Sequence, residues 1–152
     1  MESGMNVRIM NIHDYQKVLS LWKSIEGFYI RSIDDSFEGM SKFLERNPST
    51  NVVALQGDEI IGSILCGYDG RCAYFYHVCV KKEHRHKQIG KRMVDFVIQE
   101  LQNIGATHIN LVAFKSNEAG NLFWQELHWT LKEELNLYEY ILNPNNIRLL
   151  NT

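Results

Sequence analysis

The stretch EHRHKQIGKR, residues 83–92, gathers basic side chains around a single glycine, Gly90. It follows the strand-like run AYFYHVCV and precedes the helix-like run MVDFVIQEL. The first N–H groups of a helix have no partner within the helix and carry about half a unit of positive charge. A turn that leads from a strand into such a helix can present several amides to one anion. The segment therefore predicts a site for a diphosphate or similar dianion, with Gly90 allowing close approach.

Two other interpretations of this basic run are a solvated surface and a nucleic-acid patch. The run is short and the whole chain carries a net charge of −2, which does not favour a nucleic-acid partner. Neither the GxxxxGK[ST] nor the GxGxxG spacing occurs, so a nucleoside triphosphatase and a Rossmann dehydrogenase are not expected.

The pattern of apolar residues predicts one α/β domain over residues 1–152, with the order β-α-α-β-β-β-α-β-α-β-β. Helical spacing predicts helices over 13–25, 36–46, 89–104 and 116–127, the last capped by Ser116 or Asn117. Strands are expected at 6–11, in a hairpin around a Gly57-Asp58 turn, and over 71–80, 107–114 and 130–142.

The three cysteines, Cys66, Cys72 and Cys79, lie within apolar runs and lack metal-type spacing. We expect reduced core thiols, no bound metal and a cytoplasmic protein. No signal peptide and no apolar run near the ~20 residues of a membrane span is found, so a membrane partner is not expected.

The segment VCVKKEHRHKQIGKRMVDFVI resembles the acyl-CoA-binding motif of the GNAT acetyltransferase superfamily. That motif runs hydrophobic-x-Val, a short link, Arg/Gln-x-x-Gly-x-Gly/Ala and a helix. Arg85 and Gly90 match it, whereas Gln88 stands at the usual first glycine. NEAGNLFWQELHW is similar to the second signature of the family, with Trp124 at the usual tyrosine and His128 at the usual glycine.

The resemblance implies the GNAT fold: a single mixed, mostly antiparallel sheet of six or seven strands, with about four helices on both faces. It also implies acetyl-CoA as co-substrate. The positions that it assigns to cofactor binding are Val78, Cys79, Val80, Arg85, His86, Lys87, Gln88, Ile89, Gly90, Lys91, Asn117 and Trp124.

The activity that the resemblance implies is N-acetyl transfer to a primary amine of a small molecule or peptide, by direct attack. An alternative is an acyl-CoA sensor or partner module of the same fold without efficient turnover. The replacements at Gln88 and Trp124 motivate this alternative, since an indole N–H cannot supply a proton as a phenol does. The sequence does not determine the oligomeric state, and a homodimer is among the alternatives.

Candidate catalytic residues are His77 and Tyr138. Imidazole is suited to general base catalysis near neutral pH, but the strand pattern leaves open which face His77 occupies. A proton for the leaving thiolate would come from water, Tyr138 or Tyr140. The acceptor wall is assigned to Glu26, Phe28 and Tyr29, with Asp34 and Asp35 able to attract a cationic amine; packing and solvated acids are the alternatives.

Overall fold

Seven strands and four α-helices form within residues 4–151, the part of the chain that this computed structural model describes. The first three residues and the last one of the predicted domain lie outside the described residues. The strands are β1 Met5–Ile9, β2 Tyr29–Arg31, β3 Val52–Gln56, β4 Glu59–Tyr68, β5 Ala73–Val80, β6 Ile109–Asn110 and β7 Arg148–Leu150. The helices are α1 Tyr15–Ser24, α2 Phe37–Arg46, α3 Ile89–Asn103 and α4 Glu118–Glu126.

Five of the strands form a mixed sheet in the order β1-β3-β4-β5-β6. Its first three pairings are antiparallel and the β5–β6 pairing is parallel. β2 and β7 pair antiparallel as a separate sheet. The predicted mixed, mostly antiparallel α/β architecture with four helices is confirmed, although the strands divide between two sheets rather than forming one.

The helices cover both faces of the five-stranded sheet. On one face, α3 packs Met93, Val97 and Leu101 against buried residues of the central strands, as its helical spacing predicts. On the other face, α1 and α2 bury Trp22 and Met40. The Trp22 indole N–H donates a 3.0 Å hydrogen bond to the Ser63 hydroxyl, which satisfies both polar groups within the core.

Local sequence signals explain where two helices start. The Ser36 hydroxyl accepts the Gly39 N–H at 3.1 Å and caps α2, while the Asn117 side chain accepts the Gly120 N–H at 3.0 Å and caps α4. Gly57 takes a φ of +61° in the β3–β4 turn, which suits glycine. The predicted cap and hairpin are therefore confirmed.

The predicted C-terminal strands are wrong in part. Residues 130–142 form no strand, and within 107–114 only Ile109–Asn110 pair with β5. The apolar pattern of these segments suits a sheet, but a strand also needs a neighbour that supplies hydrogen bonds. The closing strand is Arg148–Leu150 instead, which pairs with Tyr29–Arg31 and has no clear signal in the sequence.

The helices within residues 4–151 include none that is long and apolar enough to span a bilayer.

Gly39 allows the loop before α2 to lie against the helix. A Cβ at this position would lie 2.3 Å from the Ile33 carbonyl oxygen and 2.4 Å from that of Asp34, both backbone atoms. We expect Gly39→Ala to lower the free energy of unfolding by about 2 kcal/mol through this overlap, although alanine ordinarily stabilises a helix. Urea denaturation measures the change.

Lys42→Ala, an exposed position in the same helix, is the matched control and should change stability by no more than about 0.5 kcal/mol. A Gly39→Ala protein as stable as the wild type would contradict the close approach of loop and helix.

Candidate functional site

One extra residue in β5 decides which way His77 faces. Leu65 of β4 lies opposite Tyr76, whereas Ser63, two residues earlier, lies opposite Cys79, three residues later. His77 takes a φ of +48° within this bulge. As a result Tyr76 and His77 do not alternate: both face the side of the sheet that carries α1 and α2, where their rings lie 6.0 Å from Phe43 and 4.6 Å from Trp22.

The bulge is held by a chain of hydrogen bonds through Ser63. Its hydroxyl accepts from the Trp22 indole at 3.0 Å and donates to the His77 carbonyl at 2.9 Å. Ser63 is fully buried, and its bond with Trp22 forms away from competing water. The position of His77 is therefore tied to the hydrophobic core.

His77 is paired with Asp35. The imidazole Nε2 lies 2.9 Å from both carboxylate oxygens of Asp35, which also accepts the Arg31 N–H at 2.7 Å. An ionised carboxylate only accepts hydrogen bonds, so Nε2 carries the proton and donates it. In the neutral ring Nδ1 then has a free lone pair, and this atom has no hydrogen-bond partner among the described residues and is not enclosed. His77 can thus take a proton at Nδ1.

The surroundings of this pair are aromatic. The Phe28 ring lies 5.0 Å from the His77 ring and stacks on Trp22 at 6.4 Å. Of the residues predicted to form the acceptor wall, the structure brings Phe28 to His77. Tyr29 contacts Phe114 instead, and Glu26 is exposed and forms no hydrogen bond or ion pair with His77.

The loop between β5 and α3 has glycine-like backbone angles at two residues that are not glycine. His86 has a φ of 64° and Gln88 a φ of 66°, both left-handed. Gln88 thereby adopts a conformation that glycine takes without steric cost. Arg92 N–H makes the first backbone bond of α3, to the Gln88 carbonyl at 3.0 Å. The preceding amides at 89–91 have no helical partner and are available to an anion.

Several cations surround these amides. The Arg85 guanidinium folds back and donates to the Val80 carbonyl at 2.9 Å, and Lys91 pairs with Asp95 at 2.8 Å across one helical turn. Together with the exposed Lys87, they lie within the same short segment as the helix N-terminus. Exposed ion pairs such as Lys91–Asp95 contribute little to stability, so an anionic ligand can take the place of the carboxylate.

The far edge of β5 is open. Ladder pairing with β6 joins Ala73 to Ile109 and Tyr74 to Asn110 and ends there, although β5 continues to Val80. Val78 and Val80 are half-buried against the α3 side. A slender polar chain can therefore hydrogen-bond to this edge between the two strands.

Cys79 contributes no reactive thiol to this edge. Its side chain turns towards α1, 3.6 Å from the Ser63 hydroxyl. Burial raises the pKa of the Cys79 thiol to about 11, so the unreactive protonated form dominates at neutral pH. The interpretation of Cys79 as a core thiol is confirmed, and only its backbone can face a ligand at the open edge.

Packing against α4 explains why residue 90 is glycine, and the sequence alone did not reveal this. A Cβ there would lie 3.0 Å from the Phe123 ring of α4. Next to Phe123, Trp124 packs on Phe75 at 6.1 Å and Trp129 at 4.6 Å, on the sheet face opposite His77. Asn117 uses its side-chain oxygen to cap α4. Their predicted contacts with a cofactor stay predictions.

Tyr138 is not brought to the site. Its side chain is 89% exposed and makes no hydrogen bond or ring contact with the residues around His77. His128, at the other unusual position, has a φ of 67° and serves as a turn residue at the end of α4. Within residues 4–151 no three or more His, Cys, Asp or Glu side chains lie together as a metal site would require.

Comparison with known proteins places this geometry in context. Residues 15–129 match the acetyltransferase (GNAT) family. An acetyltransferase of Sodalis glossinidius is 25% identical over 131 residues, covering 86% of this chain and 91% of that protein. One of Pectobacterium atrosepticum is 26% identical over 125 residues, with coverages of 82% and 87%.

Solved structures share the fold. The PaiA N-acetyltransferase of Thermoplasma acidophilum, in complex with coenzyme A, superimposes with a TM-score of 0.71 at 18% identity, over 81% of this chain and 87% of that one. An aminoglycoside acetyltransferase from an uncultured soil sample, in complex with sisomicin, also has a TM-score of 0.71, at 19% identity and with coverages of 92% and 97%.

The left-handed Gln88 provides a test of the loop. Because a residue with a Cβ costs about 1–2 kcal/mol in this conformation, we expect Gln88→Gly to raise the free energy of unfolding by about 1 kcal/mol. Gln99→Gly, the same change at an exposed position within α3, should lower it by about 1 kcal/mol. Denaturant unfolding distinguishes the two signs. A destabilised Gln88→Gly protein would show that Gln88 is not left-handed.

Proposed function

The chain belongs to the GNAT family of acetyltransferases, and from this premise we propose that it acetylates a primary amine of a small molecule or peptide, with His77 as general base. The observation that carries the proposal is the His77–Asp35 pair, which lies next to the open edge of β5. A proton acceptor and a place for the acetyl donor thus occupy neighbouring positions on one strand.

For the acetyl donor, acetyl-CoA, two features of the chain fit its two polar parts. The amides at 89–91, with Arg85, Lys87 and Lys91 nearby, suit the diphosphate. The open edge at 78–80 suits the amide groups of the pantetheine arm, which pair as a strand does. Coenzyme A in the similar PaiA enzyme supports this assignment.

The need for a base follows from the acceptor. An alkyl amine with an ordinary pKa near 10.4 is neutral in about one molecule in 2,500 at pH 7, a cost of roughly 4.6 kcal/mol. Asp35 fixes the His77 tautomer that leaves Nδ1 free and stabilises the imidazolium after proton transfer. His77 can therefore supply the neutral amine at the point of attack.

The reaction is then a direct transfer. Nδ1 of His77 takes a proton from the ammonium, and the nitrogen lone pair attacks the acetyl carbonyl carbon. The tetrahedral intermediate loses the second nitrogen proton to a water molecule and collapses with cleavage of the C–S bond, which yields the neutral amide and the CoA thiolate, and the same water returns that proton to sulfur. In this chain Trp124 packs in the core and Tyr138 is remote, so we assign protonation of the thiolate to water.

Phe28, backed by the buried Trp22, gives the acceptor side an apolar surface, and Asp35 with Asp34 gives it negative charge. This combination favours a cationic amine with an apolar stem over an anionic acceptor. Because the fold is shared by enzymes with different acceptors, the amine has to be found with a panel that covers polyamines, aminoglycosides and peptides.

Thiol release from acetyl-CoA tests the assignment of the base. We expect His77→Asn to lower kcat/KM by 100-fold to 10,000-fold, the usual contribution of a general base. Asp35→Asn should also lower it, because an amide nitrogen facing Nε2 donates a hydrogen bond and favours the tautomer with Nδ1 protonated. His13→Asn, an exposed histidine, is the control and should keep full activity.

Calorimetry with acetyl-CoA separates binding from turnover. His77→Asn and Asp35→Asn should bind acetyl-CoA as the wild type does, since neither His77 nor Asp35 contacts the diphosphate loop. Absence of binding at millimolar acetyl-CoA would refute the proposed function. Binding without turnover of any amine would favour an acyl-CoA sensor, and full activity of His77→Asn would refute the role of His77.

A further inference from the structure

The segment from Leu131 to Leu142, here called the arm, is apolar yet unburied. Its exposed fractions reach 72% at Leu137 and 92% at Leu142, and Leu131, Leu135, Tyr140 and Ile141 are also more than half exposed. The main-chain groups of 136–142 make no hydrogen bond with the rest of residues 4–151. A soluble protein rarely leaves such a patch uncovered.

Over residues 137–142 the arm carries apolar side chains on both faces of an extended chain, interrupted only by Glu139. Leu135, Leu137 and Ile141 fall on one face of an extended chain, and Tyr138, Tyr140 and Leu142 fall on the other. Strands with apolar residues on both faces occur inside sheets that are covered on both sides. The arm therefore has the sequence of an internal strand but lacks a neighbour.

The five-stranded sheet has an unpaired edge where a further strand could add. β6 is the last strand in the order, and no strand pairs with its outer side among the described residues. Beyond it, Val112 and Phe114 are about half exposed. At its start lies a groove of about 270 Å³, whose apolar lining includes Ile98, Leu101, Ile109 and Trp129.

The arm of the same chain does not fill this edge. It leaves Trp129, whose N–H is bonded to the Trp124 carbonyl, and its second half is drawn to β2, where Glu139 pairs with Arg31 at 3.3 Å. Just beyond the arm, the Asn146 side chain accepts the Ile33 N–H at 2.9 Å. Both ends are therefore fixed while the edge of β6 stays open.

We propose that the arm forms a strand along the outer edge of β6 in a second copy of the chain, and that two copies exchange arms. Charge supports this pairing: the arm contains three glutamates and one lysine, whereas residues 106–116 contain Lys115 and no acid. The arm of each copy would meet the same β6 edge of the other copy. The two contacts are then equivalent, and the assembly closes as a two-fold dimer.

Cysteine cross-linking tests the pairing directly. In a Cys72→Ser background, chains with Leu135→Cys, Leu137→Cys or Ile141→Cys are each co-expressed with tagged chains that contain Val112→Cys. We expect at least one arm position to give a disulfide between chains of different size after mild oxidation. Gln99→Cys on α3 replaces Val112→Cys as the control and should give none.

The alternatives predict other products. Arm-to-arm pairing gives disulfides between two Leu137→Cys chains without any Val112→Cys partner. Folding of the arm onto its own chain gives a monomeric disulfide when Leu137→Cys and Val112→Cys are combined in one chain. Either of these results without a mixed disulfide, or no disulfide at any of the three arm positions, overturns the proposal.

Solution mass gives an independent measurement. We expect light scattering to give the wild type twice the mass of one chain, and Leu137→Lys/Ile141→Lys to give a folded monomer, as judged by circular dichroism. Leu122→Lys, an exposed leucine on α4, should stay dimeric. A monomeric wild type at 100 µM, or a dimeric double variant, contradicts the exchange of arms.

Discussion

The main chain of β5 is the constraint on which the rest of the site depends. One extra residue on its β4 side turns His77 towards α1 and α2, and the end of pairing on its β6 side leaves the edge beyond Tyr74 open. A regular strand would give neither feature, since side chains would alternate and both edges would be hydrogen-bonded. The cost of the bulge is offset by the hydrogen bonds of buried Ser63 to Trp22 and His77.

The loop that follows β5 extends the same principle. The anion binding that we propose for it depends on backbone amides at the start of α3, and side chains add charge around them. Because the amides depend on backbone angles rather than on residue type, Gln88 can replace the usual glycine at an energetic cost. A departure from the motif thus changes stability more than it changes the donors.

Much of this arrangement was predictable from local sequence. Periodicity and caps predicted α2, α3 and α4, and the basic turn with Gly90 pointed to the loop that we propose as the anion site. The face of His77 was not predictable, because the bulge follows from the pairing of Ser63 with Cys79, a contact between distant residues. Nor was the His77–Asp35 pair, which joins residues 42 positions apart. The arm was predicted to be a strand because its residues have a strand-like pattern. A strand also needs a neighbouring strand for its hydrogen bonds, and the pattern does not show whether one is present.

The central claim is that main-chain groups from Val78 to Lys91 receive the acetyl donor, and amide hydrogen exchange with and without acetyl-CoA measures this directly. We predict slower exchange in peptides that cover 78–80 and 88–91, with β1 at the opposite edge of the sheet unchanged. If acetyl-CoA binds and leaves exchange in both of these segments unaltered, the donor site lies elsewhere and the account is wrong.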